Sequence, residues 1–151
     1  MRFELIDQVI EQDADRIVAV KNVTSAEEYL ADHFPGFPVL PGVMMLETLV
    51  QAARLLLAER AAQACGPGEP LVMAQVRNLR YGNMVRPGET LTVEVTLRSS
   101  DQEAPGNAPG TTPGWELAGV GRVRDDVAVQ GRFRLEPLSS HTAAARTAAG
   151  R

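Results

Sequence analysis

The chain is short of the residues that most often mark a site. Its 151 residues hold one cysteine, Cys65, two histidines, and Lys21 as the only lysine. A lone cysteine excludes an intrachain disulfide and is compatible with a reducing compartment. Net positive charge is also missing: the formal charge is -4, which argues against general nucleic-acid binding. No apolar run approaches the roughly 18 residues of a membrane-spanning helix. The opening Met1-Arg2-Phe3-Glu4 does not read as a signal peptide. There is no internal repeat, no metal motif and no nucleotide motif. We therefore expect a soluble, cytoplasmic protein with no membrane partner. The near-absence of lysine beside many arginines reads as coding bias rather than function.

What is present suits one globular domain. Hydrophobic residues are 44% and charged residues 23%. A chain of this length buries roughly two thirds of its unfolded surface, so its core needs no staples. Phe3 to Ile10 mixes apolar and polar residues without clean periodicity and reads as a strand or a short turn leading to one. Asp13-Ala14-Asp15 is a turn, and Arg16 to Val23 is a β-branched strand. Ser25 followed by Glu28 resembles a capping box ahead of a single helical turn. From Gly42 to about Ala64 the chain is helical and apolar nearly all round, the signature of a central, buried helix. Its polar residues Glu47, Gln51 and Arg54 fall on one stripe. Gly66-Pro67-Gly68 ends it.

Strands follow. Leu71 to Tyr81 alternates in its second half. Arg86-Pro87-Gly88-Glu89 is a turn, and Thr90 to Arg98 alternates most clearly. Residues 99–114 are rich in Gly, Pro, Ser and Thr and read as a mobile hairpin loop. Trp115 to Arg124 and Val127 to Glu136 form a hairpin across Asp125-Asp126. Ser139 to Arg151 has no pattern and is expected to fray, which leaves residues 1–138 as the single folded domain. One early helix followed by successive antiparallel strands gives an α+β domain, with the helix on one sheet face.

The organising stretch is His33-Phe34-Pro35-Gly36-Phe37-Pro38-Val39-Leu40-Pro41-Gly42-Val43-Met44-Met45-Leu46-Glu47. Three prolines fix φ, and Gly36 and Gly42 permit close backbone approach, so the loop should be ordered. It brings a histidine and a carboxylate to the start of a helix, an arrangement suited to proton transfer. Each residue also has a plain reading. His33 alone could be a loop histidine without a role. Glu47 could belong to a solvated stripe, and Gly42 could be a helix-entry turn. Tyr81 and Phe37 could line an acyl tunnel or simply pack. His141 lies in the tail, and Cys65 reads as inert filler. Arg77, Arg80 and Arg86 could meet an acidic partner or form a solvated strand edge.

Taken together, these residues resemble the active-site signature of the FabZ-type 3-hydroxyacyl-(acyl carrier protein) dehydratases. His33, Phe34, Pro35, Gly36, Pro38, Val39, Pro41, Gly42, Val43, Glu47 and Gln51 all match, with the glutamate fourteen positions after the histidine. Residues 16–24, the turn Arg86 to Leu91 and Trp115 extend the likeness to about residues 3–137. The His/Glu pair favours this type over the related His/Asp dehydratase-isomerase.

The resemblance implies the hotdog fold, an antiparallel β-sheet wrapped around a long central helix. It implies a homodimer, in many members a trimer of dimers, with the histidine of one subunit facing the glutamate of the other. His33 would then be the base and Glu47 would handle the hydroxyl proton. The Val39 carbonyl would hold the His33 ring, and Gln51 would order the site beside Glu47. No cofactor is implied beyond the phosphopantetheine of a carrier protein, or coenzyme A, that bears the acyl chain. The stretch Gly82-Asn83-Met84-Val85-Arg86 departs from the family, which carries consecutive arginines and a proline there, near the carrier's approach. Asp32 stands where a glycine is common, and the loop 99–114 is long.

The chemistry fits these roles. Elimination of water from a 3-hydroxyacyl thioester removes a proton from C2 and expels the C3 oxygen. An imidazole, with an ordinary pKa of about 6.5, suits the first step. A carboxyl held protonated, or acting through water, suits the second; neighbours Met44, Met45, Leu46 and Leu49 would favour that form by desolvation. The N–H groups of Gly42 and Val43 at the helix start can receive the charge that builds on the thioester oxygen. An acyl-thioesterase of the same fold and a non-catalytic, acyl-binding partner subunit are the alternatives.

Overall fold

The computed structural model describes residues 3–101 and 113–142. Most of the loop expected at 99–114, and the tail from residue 143, lie outside the described residues. The elements follow in order: β1 (Gln8–Gln12), β2 (Arg16–Asn22), a 3-10 turn (Glu28–Leu30), α1 (Gly42–Cys65), β3 (Leu71–Tyr81), β4 (Thr90–Ser100), β5 (Trp115–Val123) and β6 (Asp126–Pro137).

Six strands form one sheet in the order β1-β2-β4-β5-β6-β3, and every neighbouring pair is antiparallel. Strand alternation sends one set of side chains onto the helix. Ile17 and Ala19, then Leu91, Val93 and Val95, then Trp115 and Leu117, then Phe133 and Leu135 are all buried. The helix returns Met45, Leu49, Val50, Ala53, Leu56 and Leu57 to the same core. It has apolar residues almost all round because five of the six strands pack against it. This is the hotdog arrangement.

Helix and sheet approach closely because β5 lacks an inward side chain at its centre. A methyl group built on Gly119 would stand 3.0 Å from Leu49 Cδ2 and 3.2 Å from Phe133 Cε1. The space a side chain would take there is filled by the helix.

Several local expectations are corrected. Ser25 does not cap the 3-10 turn, whose N-cap is Glu27 without a side-chain hydrogen bond. The Glu27 carboxylate is committed elsewhere: it accepts from Lys21 Nζ at 2.8 Å and from the Thr24 N–H at 3.2 Å. Lys21 occupies an inward position of β2 and is 6% exposed, so this ion pair takes the place of the capping box. The last hairpin turns one residue earlier than expected, at Arg124-Asp125, where Arg124 adopts a φ of 55°. Residues 138–142, largely assigned to a fraying tail, turn helically. The Ser139 N–H donates to Glu69 Oε1 at 2.8 Å, and the Leu138 N–H to the Pro70 carbonyl at 2.8 Å.

The two edges of the sheet differ. β1 is short and exposed along its whole length. β3 is an eleven-residue edge strand, exposed for most of its run, with Met73 and Val76 each 38% exposed. A long edge with unpaired backbone groups and apolar side chains is a ready template for pairing with another strand.

Candidate active site

The loop ahead of α1 is held by its own backbone. The Val39 N–H donates to the His33 carbonyl at 2.9 Å, and Phe34 and Phe37 exchange two backbone hydrogen bonds. The prolines remove donors that this folded loop would leave without acceptors. Beyond it, the Leu40 N–H donates to the Val85 carbonyl at 2.8 Å.

His33 is half-buried, with its ring stacked 4.2 Å from that of Phe34. Its Nδ1 lies 2.9 Å from the Val39 carbonyl oxygen. A carbonyl can only accept, so Nδ1 must carry the hydrogen. In the neutral ring Nε2 is then the unprotonated nitrogen, oriented and available as a base.

The helix begins with Pro41 as its N-cap, which offers no capping side chain. The N–H groups of Met44 and Met45 return to the Pro41 carbonyl. Those of Gly42 and Val43, in the first turn, have no acceptor among the described residues. Val43 is 69% exposed, so this end of the helix dipole faces outward.

Glu47 lies one turn further on. The apolar surround expected from its sequence neighbours is not its environment. Met45, Leu46 and Leu49 turn into the core, and the carboxylate lies on the polar stripe. Its Oε1 accepts from Gln51 Nε2 at 3.1 Å and from Arg54 Nη1 at 3.0 Å. Both bonds fall on Oε1, so Oε2 takes none from the described residues. Gln51 is itself a clamp: its Nε2 donates to the Phe3 carbonyl and its Oε1 accepts from the Leu5 N–H, each at 2.9 Å. The chain start is thereby pinned across the helix. Arg54 also donates to the Leu71 carbonyl at 3.0 Å.

Within one chain, then, His33, Val39, Gly42 and Val43 gather at the helix start, while Glu47, Gln51 and Arg54 form a second group along the helix. No hydrogen bond joins His33 to Glu47. Phe37 is 42% exposed and lies under the Arg86 guanidinium, 4.2 Å from the ring centre. Sequence reasoning placed Arg54 on the stripe with Glu47 and Gln51 without giving it a role there, and it missed the clamp of Gln51 on the 3–5 segment, which depends on long-range contact. Cys65 is half-buried, and burial, then the nearby Glu69 charge, push its thiol pKa up. That makes it a poor nucleophile. Among the described residues no group of three or more His, Cys, Asp or Glu could hold a metal ion, and no helix is long and apolar enough to cross a membrane.

Comparison with known structures first defines the fold. The dehydratase heterocomplex ApeI:P from Xenorhabdus doucetiae superposes with a TM-score of 0.63 over 89% of this chain and 99% of that one, at 17% identity. A hypothetical thioesterase solved with coenzyme A, from Streptococcus pneumoniae, gives 0.55 over 86% of this chain and 84% of its own, at 11% identity. Dehydratases and thioesterases share this architecture, so the fold alone does not choose between them. Sequence narrows it. The FabA-like domain model matches residues 1–109. The 3-hydroxyacyl-[acyl-carrier-protein] dehydratase FabZ of Paracidovorax citrulli is 37% identical over 129 residues, covering 85% of this chain and 82% of that protein. The chain belongs to the FabA-like, FabZ-related family of hotdog proteins.

Proposed function

We propose that this chain is a (3R)-hydroxyacyl-[acyl-carrier-protein] dehydratase of fatty acid or related lipid synthesis, acting as a cytoplasmic homodimer. The observation that carries the reading is the Nδ1–carbonyl bond between His33 and Val39, which frees Nε2 at a helix N-terminus with unpaired N–H groups.

The thioester carbonyl sits on the N–H groups of Gly42 and Val43. Nε2 of His33 takes the C2 proton as charge moves onto that oxygen. The enolate then collapses to the C2–C3 double bond and the C3–O bond breaks. Glu47, protonated for this step, gives its proton to the departing oxygen and regains one from the His33 imidazolium through solvent, so water leaves and a trans-2-enoyl thioester remains. Nothing is oxidised or reduced. The acyl chain needs only its carrier, the phosphopantetheine of a carrier protein or of coenzyme A. One preorganised donor at the oxyanion is worth about 3–4 kcal/mol of barrier.

Glu47 reaches this chemistry from a second copy of the chain. The exposed β3 edge supports a dimer that continues the sheet across two chains, and the separation of the histidine and glutamate groups within one chain supports a site shared between them. Gln51 and Arg54 hold the carboxyl group by Oε1 and present Oε2, which carries the proton, to the substrate oxygen.

The test is the reverse reaction. Purified protein given a crotonyl thioester should deplete the conjugated enoyl absorbance and form the 3-hydroxy product without releasing free thiol. Thiol release without hydration would favour the thioesterase reading instead. Neither product from a folded dimer would leave the acyl-binding subunit.

A further inference from the structure

Gly42 is a glycine for a reason that the loop alone does not disclose. A methyl group built on its α-carbon would stand 2.9 Å from both Cε1 and Cζ of Tyr81, and 3.3 Å from Cδ1. The Tyr81 ring therefore packs against the first residue of α1. It does so from the end of β3, far away in sequence. The next residues fix it there: the Gly82 N–H donates to the Ala128 carbonyl at 2.9 Å, and the Asn83 N–H to the Val127 carbonyl at 3.0 Å. Gly82 passes so near Val127 that a methyl group would meet its carbonyl oxygen at 2.2 Å, so the backbone has little room to shift. Val85, fully buried, then bonds to Leu40 of the catalytic loop. Tyr81 is 48% exposed, so one part of the ring is packed on Gly42 and the rest faces outward. Burial of the packed part also pushes its phenol pKa up.

A thioester whose carbonyl oxygen sits on the Gly42 and Val43 N–H groups places its C2 one bond beyond the carbonyl carbon. A substituent on C2 must project to the flank of that donor pair. On the Gly42 side the flank is the Tyr81 ring. Resting on the dehydratase reading, we propose that Tyr81 is a specificity-determining wall that admits thioesters unsubstituted at C2 and excludes those with an alkyl branch there. Tyr81, which immediately precedes the stretch 82–86 where this chain departs from its family's arginines and proline, then acts on the acyl group.

The experiment compares hydration of crotonyl and 2-methylcrotonyl thioesters of coenzyme A by the wild type and by Tyr81→Phe, Tyr81→Leu and Tyr81→Ala. The ratio of the two kcat/KM values is the readout. Wild type and Tyr81→Phe should favour the unbranched substrate equally. Tyr81→Ala should shift the ratio toward the branched one by about tenfold or more, the discrimination typical of one methyl group in a pocket. Tyr81→Leu, which keeps a bulky side chain if the alanine variant folds poorly, should fall between. Lower rates on both substrates with an unchanged ratio would overturn the wall and leave Tyr81 as packing only. Failure of the wild type to hydrate either substrate would instead overturn the dehydratase reading, and the wall with it.

Discussion

Replacing His33 by alanine lowers enoyl-thioester hydration by about 10²–10⁴-fold, the usual contribution of one positioned general base. The fold should survive. The ring makes one hydrogen bond, to the Val39 carbonyl, so its loss costs about 1 kcal/mol. The loop keeps its backbone bonds at Phe34, Phe37 and Leu40. Hydration assays beside urea unfolding separate the two effects. A variant that unfolds at the same denaturant concentration and retains full activity would remove His33 from the mechanism.

Leu49→Ala should have the largest effect on stability, a loss of about 3–5 kcal/mol measured by urea unfolding. Leu49 is fully buried. It lies where the helix meets the glycine gap in β5, against Gly119 and close to Phe133. The sheet cannot close over the missing methyl groups, since it is held by paired strands on both sides of β5. A cavity is therefore left at the centre of the helix–sheet contact. A loss below about 1 kcal/mol would mean that the core relaxes there, contrary to the tight packing argued above.

Much of this was legible in the sequence because it is local. The apolar circumference of residues 42–64 announced a buried helix, and alternation in β4 gave an inward face that the structure keeps. The Pro/Gly loop pointed to an ordered entry to the helix. What was not legible depends on residues distant in the chain. Ser25 reads as a cap until Lys21, inward on β2, claims the carboxylate of Glu27. Glu47 sits among methionines and leucines in sequence, yet helical geometry turns those inward and leaves it with Gln51 and Arg54. Gly42 reads as permitting close backbone approach, and the structure fills the space at its α-carbon with Tyr81, from a strand distant in the sequence.

The most direct test of the account mixes two inactive variants. His33→Ala and Glu47→Gln proteins are purified separately, then unfolded and refolded together in equal amounts. If each site takes His33 from one chain and Glu47 from another, every mixed dimer has one intact site. Half of the dimers being mixed, hydration should recover to about a quarter of the wild-type rate. Activity that stays at the level of the separate variants, in a sample shown to contain mixed dimers, would contradict a site shared between two chains.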